Sequence, residues 1–524
     1  MNMRTKHDRR KEQGVSLILG TAALVFIIPA VGLAIDVGYV YAIKAKLQAA
    51  VDGAALAAAR GLSLGQTTTA QSASAKQKAV NWFYANLPAG DWATKNTQMD
   101  TSDTHVHVFD DPTNPQIRNV TVTASTSAPT WFMRWFGKDA TIVSASSNAS
   151  RRDVVAMMVL DRSGSMGSAC SSLIAAAKEF TGQFAPGRDQ IGLITFSDGI
   201  APVIAPSTSF QTTLGYTNGT GSASGALDTI KCGGRTGTPE AISMAYNELY
   251  KKALPGALNL LVVETDGLPN TMVFNWRDGS TYGISGSSSC TDASGKTPAA
   301  GGWTAGNGRQ WFGGQSMNSG GTGYMADIPA GTIGAFNASD PPSQSFSVLY
   351  NPIQAGHDNT NNSIEIAGTA PGCKFSGGSS GNISDFAWLP SADVYGNSVL
   401  PVGAYKSVTL SGGHIPLTGD TATDWTNARN AALNATDNAA YRARTNATVP
   451  VYVFTVGFTN SVDDVLLQRM SNDPSWMTAP VCTNSGSCVN DPTQPQGKYV
   501  FAANTQELIQ AFMTLSSQAL RLSQ

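Results

Sequence analysis

The sequence predicts an α/β protein: a doubly wound parallel sheet with a large insertion, preceded by a transmembrane helix and a small β-rich domain. Three observations carry this prediction. The runs DVVAMMVLD (153–161), QIGLITFSD (190–198), ALNLLVVETDG (257–267) and VPVYVFTVGF (449–458) are almost continuously apolar, as strands covered on both faces must be. Segments of helical period separate or follow them: 171–184, 238–254, 428–447, 461–471 and 505–523. Finally, residues 15–35 carry no charge, and at 1.5 Å per residue they span about 30 Å, the thickness of a hydrocarbon core.

In chain order, residues 1–61 read as a basic tail, a membrane helix and its continuation. Arg4, Lys6, Arg9, Arg10 and Lys11 precede the apolar run, so the positive-inside rule leaves the tail in the cytoplasm and the bulk outside the inner membrane. A cleaved secretory signal is the competing reading. The run exceeds a usual signal core, and no A-x-A-like site with turn residues follows it. Pro29 is tolerable within lipid. Val37, Val40, Ile43, Leu47, Val51 and Ala54 or Ala55 then form one helical stripe. That stripe suits packing against a like subunit or against this chain's own next domain.

Residues 62–150 read as the small domain. LSLGQTTTAQSASA (62–75) has the composition of a polar linker, and Lys76–Leu87 that of a short helix. Strand-like alternation follows in THVHVFDD, RNVTVTASTSA and DATIVSASSNASR. WFMRWFG (131–137) packs four aromatics into seven residues between two strands, and a core plug is expected there. His105 and His107 share a strand face, expected to be solvated rather than metal-binding.

Residues 151–524 hold the doubly wound domain, interrupted at about 270–425 by Gly-, Ser- and Asn-rich sequence bearing Trp276, Trp303, Trp311, Tyr324 and Trp388. An interruption this long is expected to be functional or to fold by itself. It leaves from the carboxyl end of a strand, the edge at which such sheets bind ligands.

Composition removes several functions. Only 13% of residues are charged and the net charge is −2, so no field favours nucleic acid. The six cysteines, Cys170, Cys232, Cys290, Cys373, Cys482 and Cys488, are even in number in an exported chain, which favours disulfides. No C-x-x-C or clustered His suggests zinc. G-x-S-x-G is absent, because Ser163 stands where its first Gly belongs, and no histidine is placed as a base for Ser163 or Ser165; no enzymatic activity is expected.

Asp161-Arg162-Ser163-Gly164-Ser165 directly follows the first buried strand and presents one carboxylate and two hydroxyls, hard donors suited to Mg²⁺, Ca²⁺ or Mn²⁺. Alone, this loop is equally a helix-capping turn. Thr236, in GGRTGTPEAI, opens a helix, and Asp266, in VVETDG, ends the third buried strand. Loops of one parallel sheet converge on one edge, so these oxygens are expected to meet.

This set resembles the von Willebrand factor A family, whose metal-ion-dependent adhesion site uses D-x-S-x-S, a Thr and an Asp. The resemblance covers about 153–266 and 427–523 and makes Asp161, Ser163, Ser165, Thr236 and Asp266 the expected ligands, with Thr238 second to Thr236. It implies a metal with one position left open for a partner's carboxylate. Two Asp side chains only neutralise a divalent ion, so hydroxyl-rich ligation leaves it electrophilic. Cys170 follows the Asp161 loop and Cys232 precedes the Thr236 loop, so a bridge between them is expected. Cys290–Cys373 would brace the insertion, and Cys482–Cys488 suits a local bridge, although six cysteines allow fifteen pairings.

The N-terminal string GLAIDVGYVYAIKAKLQAAVDGAALAAA, after a basic stretch, resembles the TadE/TadG-like proteins of tight-adherence (Flp) pilus systems. Were Gly14 a prepilin-type cleavage point, Glu would be expected at position 19, which is Leu19, so processing like a major pilin is not expected. The resemblances together imply a TadG-like pilus assembly or adhesion protein that binds other pilus components or a surface ligand through its metal. The alternative is an anchoring subunit that recruits secretion components, with a metal serving stability only.

Overall fold

The computed structural model describes residues 8–523 except 198–199, 216–224, 234–235, 276, 279–280, 283–332, 339–345, 351–354, 359–362, 367–380, 383–387, 394, 417 and 419–420. The chain divides into two compact units, one running to Arg151 and one from Arg152 to Ser523.

In the first unit, α1 (Asp8–Gly61) is a single helix that carries Pro29 without ending. Among the described residues it is the one helix long and apolar enough to cross a membrane. Of the two uses open to the stripe on α1, the part from Ile43 onward packs within its own domain. Ile43, Leu47, Val51, Ala54 and Ala55 are buried with Ala75, Ala79 and Phe83 of α2 (Thr68–Asn86) and with Val120 and Val122. Val37 remains exposed.

The expected linker over 62–75 needs correction, because α2 starts at Thr68. The Thr67 hydroxyl accepts from the Ala70 amide at 3.2 Å, and a small-residue face through Ala75 lets α2 lie close on α1. A β-carbon at Gly61 would fall 2.6 Å from Ala75 Cα, so the two helices meet backbone to backbone there. Ser- and Thr-rich composition reads as loop, yet burial against a neighbour outweighs that weak propensity.

The sheet of this unit has β3 (Ile117–Pro129) paired with β1 (Lys95–Gln98), β2 (Val106–Asp110) and β4 (Ala140–Arg152). His105 precedes β2 and its Nδ1 meets Asp100 Oδ1 at 2.8 Å, while the His107 ring stacks on Phe109. The 131–137 segment is not the core plug the sequence suggests. Trp135 is 85% and Phe136 74% exposed, and Trp131 and Phe132 are exposed as well.

The second unit is built on a six-stranded sheet. Its strands are β5 (Val154–Asp161), β6 (Gln190–Phe196), β7 (Ile200–Ser207), β8 (Leu258–Thr265), β9 (Tyr452–Phe458) and β10 (Lys498–Ala502), in spatial order β10-β9-β8-β5-β6-β7. All pairs are parallel except β6 with β7. Helices cover both faces, and β5 shows why its sequence is apolar throughout. Val155, Met157 and Val159 face the core under α5 (Thr238–Lys252), α6 (Thr421–Thr445) and α7 (Asp464–Ser471). Val154, Ala156, Met158 and Leu160 face the core under α3 (Cys170–Thr181) and α9 (Thr505–Leu522). Two further helices, α4 (Phe210–Leu214) and α8 (Pro480–Ser485), are short.

The four long apolar runs form the four inner strands, and the two edge strands are what pattern-reading left out. β7 carries Pro202 and Pro206, which weaken a strand pattern but are permitted at an edge. β10 is only five residues long.

The stretch read as an insertion ends in sequence that joins the domain core. Leu389, Val399 and Ile415 are buried in the same core as α5 and α6. α6 grips this segment through asparagines one turn apart. Asn430 Nδ2 donates to Ser407 O, Asn434 Nδ2 to Val399 O and Lys406 O, and Asn438 Nδ2 to Ser398 O and Leu400 O, at 2.6–2.8 Å. Upstream, Thr271–Asn275, Ile333–Ala338, Phe346–Tyr350 and Gly381–Asn382 form a separate antiparallel sheet. Trp276, Trp303, Trp311, Tyr324, Cys290 and Cys373 lie outside the described residues.

Candidate metal centre

β5 and β8 are neighbours with Leu160 opposite Glu264, so their carboxyl ends place Asp161 beside Thr265 and one residue from Asp266. The chain leaves β5 in a tight turn in which Asp161 Oδ1 accepts from the Ser163 amide at 2.8 Å. A 3-10 turn, Gly164–Ala169, follows. Gly167 within it takes φ 28° and ψ −109°, a backbone open to glycine and strained for other residues. This turn brings the two serine hydroxyls to 2.9 Å from each other. Both donate to Asp266 Oδ1, Ser165 Oγ at 2.7 Å and Ser163 Oγ at 3.3 Å.

Thr236 arrives from the third loop. Its amide donates to Asn270 Oδ1 at 2.8 Å, and its carbonyl accepts from the Asn270 amide at 3.0 Å. The Gly237 amide donates to Ser197 O at the end of β6. A β-carbon at Gly267 would lie 3.7 Å from both Ser165 Oγ and Thr236 Oγ1, so these hydroxyls flank one small space. The structure therefore brings together all five residues singled out in the sequence: Asp161, Ser163, Ser165, Thr236 and Asp266. The alternative donor, Thr238, lies at the start of α5 with its hydroxyl buried and without a hydrogen-bond partner among the described residues.

Charge dominates the chemistry of this edge. Burial, then the negative charge of Asp266, pushes the Asp161 carboxyl up to about 7, although Thr265 Oγ1 donates to it at 2.6 Å. Burial likewise raises Asp266, against the pull of the two serine hydroxyls. Glu264, fully buried on β8, is held well above the carboxylate range by burial and by both aspartates. Its oxygens have no hydrogen-bond partner at ordinary geometry among the described residues, and the weak pull of the Asp161 amide does not offset that burial. Glu264 and Thr265 are the residues that sequence reasoning passed over. The available signal was a carboxylate inside an otherwise apolar strand, VVET, two residues before Asp266.

Two carboxylates and three hydroxyls on three loops make a cradle for a hard cation, and a cation there would relieve the repulsion between the aspartates. Among the described residues no group of three or more His, Cys, Asp or Glu offers a different metal site. The donor set thus fits oxygen-liganded Mg²⁺, Ca²⁺ or Mn²⁺ rather than zinc.

A disulfide holds the loops in register. Cys170, at the start of α3, bonds Cys232 with Cα atoms 5.9 Å apart, and the adjacent Gly233 amide donates to Arg162 O at 2.7 Å. Cys482 and Cys488 form the second expected bridge. Loop-closure entropy makes the two unequal, since they are separated by 62 and 6 residues. Replacing Cys170 and Cys232 by Ser is expected to cost about 2–4 kcal/mol, and replacing Cys482 and Cys488 distinctly less. Urea unfolding of the two double variants checks this, and an equal loss would refute the ranking.

Residues 156–268 match the family model described as von Willebrand factor type A domain. Residues 14–61 match the model described as putative Flp pilus-assembly TadE/G-like. The chain thus joins a TadE/G-like pilus-assembly region to an A-type domain. A comparison with curated protein sequences finds no match.

Solved structures similar to this chain include three pilus proteins. The pilus adhesin SpaC from Lactobacillus rhamnosus GG is 13% identical with a TM-score of 0.33, over 80% of this chain and 36% of that one. The vWF domain of the type V pili tip protein Mfa5 from Porphyromonas gingivalis is 12% identical with a TM-score of 0.32, over 72% and 98%. The PilB minor pilin from Streptococcus sanguinis is 11% identical with a TM-score of 0.29, over 83% and 80%. The chain spans about a third of the SpaC structures' length.

Proposed function

We propose that this chain is a non-enzymatic, membrane-anchored component of a tight-adherence pilus system that binds a protein partner through a divalent cation. Asp161, Ser163, Ser165, Thr236 and Asp266 would hold the ion, and the carrying observation is the convergence of Ser163, Ser165 and Thr236 around Asp266 Oδ1 and Gly267, with Asp161 joined to the same turn through the Ser163 amide. When bound, the ion supplies an electrophilic position for an acidic group, from another pilus component or a surface ligand. The residues themselves do the positioning. The Asp161–Ser163 turn fixes one carboxylate, and the Asn270 clasp fixes Thr236. The TadE/G-like match over 14–61 supports the pilus setting, and the basic residues before the apolar run support a cytoplasmic N-terminus with the A-type domain outside.

The test is calorimetric titration of Mg²⁺, Ca²⁺ and Mn²⁺ into the full chain in detergent, beside an Asp161→Ala variant. Wild type is expected to bind one ion per chain, and the variant to lose at least tenfold in affinity. Equal binding by both would sink the assignment. Chelator is then expected to release captured pilus partners from wild type, and a partner retained equally with chelator would instead support the anchoring role.

A further inference from the structure

The aromatic segment 131–137 lies outside the A-type domain and is fastened to α1 by one carboxylate. Asp36 is the first charged residue after the uncharged run 15–35. Its carboxylate is buried because it caps the segment: Oδ1 accepts from the Trp131 amide at 2.7 Å, and Oδ2 from the Phe132 and Met133 amides at 2.9 and 2.7 Å. One turn earlier, a β-carbon at Gly32 would fall 2.6 Å from Phe132 Cγ, so the Phe132 ring lies directly on the helix inside the apolar run. Gly32 and Asp36 are about 6 Å apart along the axis.

Beyond this clamp, Trp135, Phe136 and nearby Ile142 on β4 are exposed, with Arg134 and Lys138 beside them. Tyr39 adds to the cluster, its ring 5.9 Å from that of Trp92 and 6.3 Å from that of Trp131. A chain that places four large aromatics in water bears a substantial cost, whereas aromatic rings with basic neighbours are at home where lipid headgroups meet acyl chains.

We propose that residues 131–137 form a second membrane contact, seated in the bilayer interface on the side where α1 emerges. Trp135 and Phe136 enter below the headgroups, and Arg134 and Lys138 stand at the lipid phosphates. The occupant is fixed by continuity: the segment is tied to α1 at the residue where the uncharged run stops, and it reaches back over Gly32 within that run. The contact gives the domain two points of attachment and so sets how far α1 and its domain tilt from the membrane. This inference rests on α1 spanning the membrane.

The test uses the full chain in phosphatidylethanolamine–phosphatidylglycerol nanodiscs, comparing wild type with Trp135→Phe. The difference in emission isolates Trp135 while keeping an aromatic ring in place. That signal is expected to be blue-shifted, largely lost when lipids carry a doxyl group near the headgroup, and insensitive to aqueous iodide. A Trp135 signal quenched by iodide but not by doxyl lipid overturns the proposal. So does one protected from both only when two chains share a disc, because a second copy then covers the segment. Asp36→Ala is expected to reduce doxyl quenching of Trp135 by releasing the clamp. Failure of the chain to remain with lipid at all would instead refute the membrane anchor on which the inference rests.

Discussion

Without divalent cation, the A-type domain is expected to lose stability steadily as pH rises from about 4 through about 7, and added Mg²⁺ or Ca²⁺ is expected to remove the part of that loss that comes from the cradle. The sign follows from the raised carboxyls. Asp161 titrates near 7 in the folded chain against 3.8 as a free side chain, because it is fully buried and faces Asp266. In that window the folded state therefore holds protons that the unfolded state has released, and stability falls with rising pH. A shift of this size corresponds to on the order of 4 kcal/mol, shared between the coupled aspartates. A bound cation reverses the preference by stabilising the ionised pair.

Asp393, buried and raised to about 6, and Glu264 and Asp437, both raised by burial, contribute falls of the same sign that do not require the cradle aspartates. An Asp161→Asn control isolates the cradle's share, since it leaves Asp393, Glu264 and Asp437 in place and removes the repulsion between the aspartates. The measurement is denaturant unfolding at pH 5 and pH 8, with and without cation. Equal stability at both pH values in chelator would overturn the electrostatic account of the cradle.

Replacing Asp437 by Ala is expected to cost about 3–5 kcal/mol, the range for removing one member of a buried ion pair. Asp437 Oδ2 accepts from Arg469 Nη2 at 2.7 Å and from Nε at 3.0 Å, and both side chains are 3% exposed. Arg469 also donates to Ser487 O and Val402 O and lies 4.7 Å from the Tyr405 ring centre, so one guanidinium joins α6, α7 and the segment that α6 grips. The variant would leave that cation buried without its counter-charge. An Asp437→Asn variant, which keeps an acceptor but no charge, is expected to fall between wild type and Ala. A loss under 1 kcal/mol for Ala would mean that Arg469 is held by its carbonyl partners alone.

Much of this protein is legible from sequence because it follows from period and residue type. The inner strands announce themselves as unbroken apolar runs, since a strand covered on both faces has no position left for a polar residue. A helix long and apolar enough to cross a membrane is legible because uncharged length is itself the physical requirement. D-x-S-G-S, the Thr after G-R and the Asp after VVET are short-range patterns, and their donors are visible by type alone. The bridge Cys170–Cys232 follows from nearness to loops that the parallel sheet must bring to one edge, and Cys482–Cys488 from the short span between them.

What the tertiary structure decided is everything that depends on neighbours distant in sequence. Only the adjacency of β5 and β8 sets Asp161 beside Thr265 and makes Glu264 a third buried carboxyl behind the cradle. Residues 68–75 are helical because α1 buries one face of them, which composition does not encode. WFMRWFG reads as core because aromatics usually sit inside, yet Asp36 clamps it, with its rings exposed, at the end of the apolar run. Residue type specifies which groups seek burial or charge neutralisation. Which surface supplies them is a property of the assembled fold, since hydrophobic burial is non-directional and long-range pairing is not written in any local window.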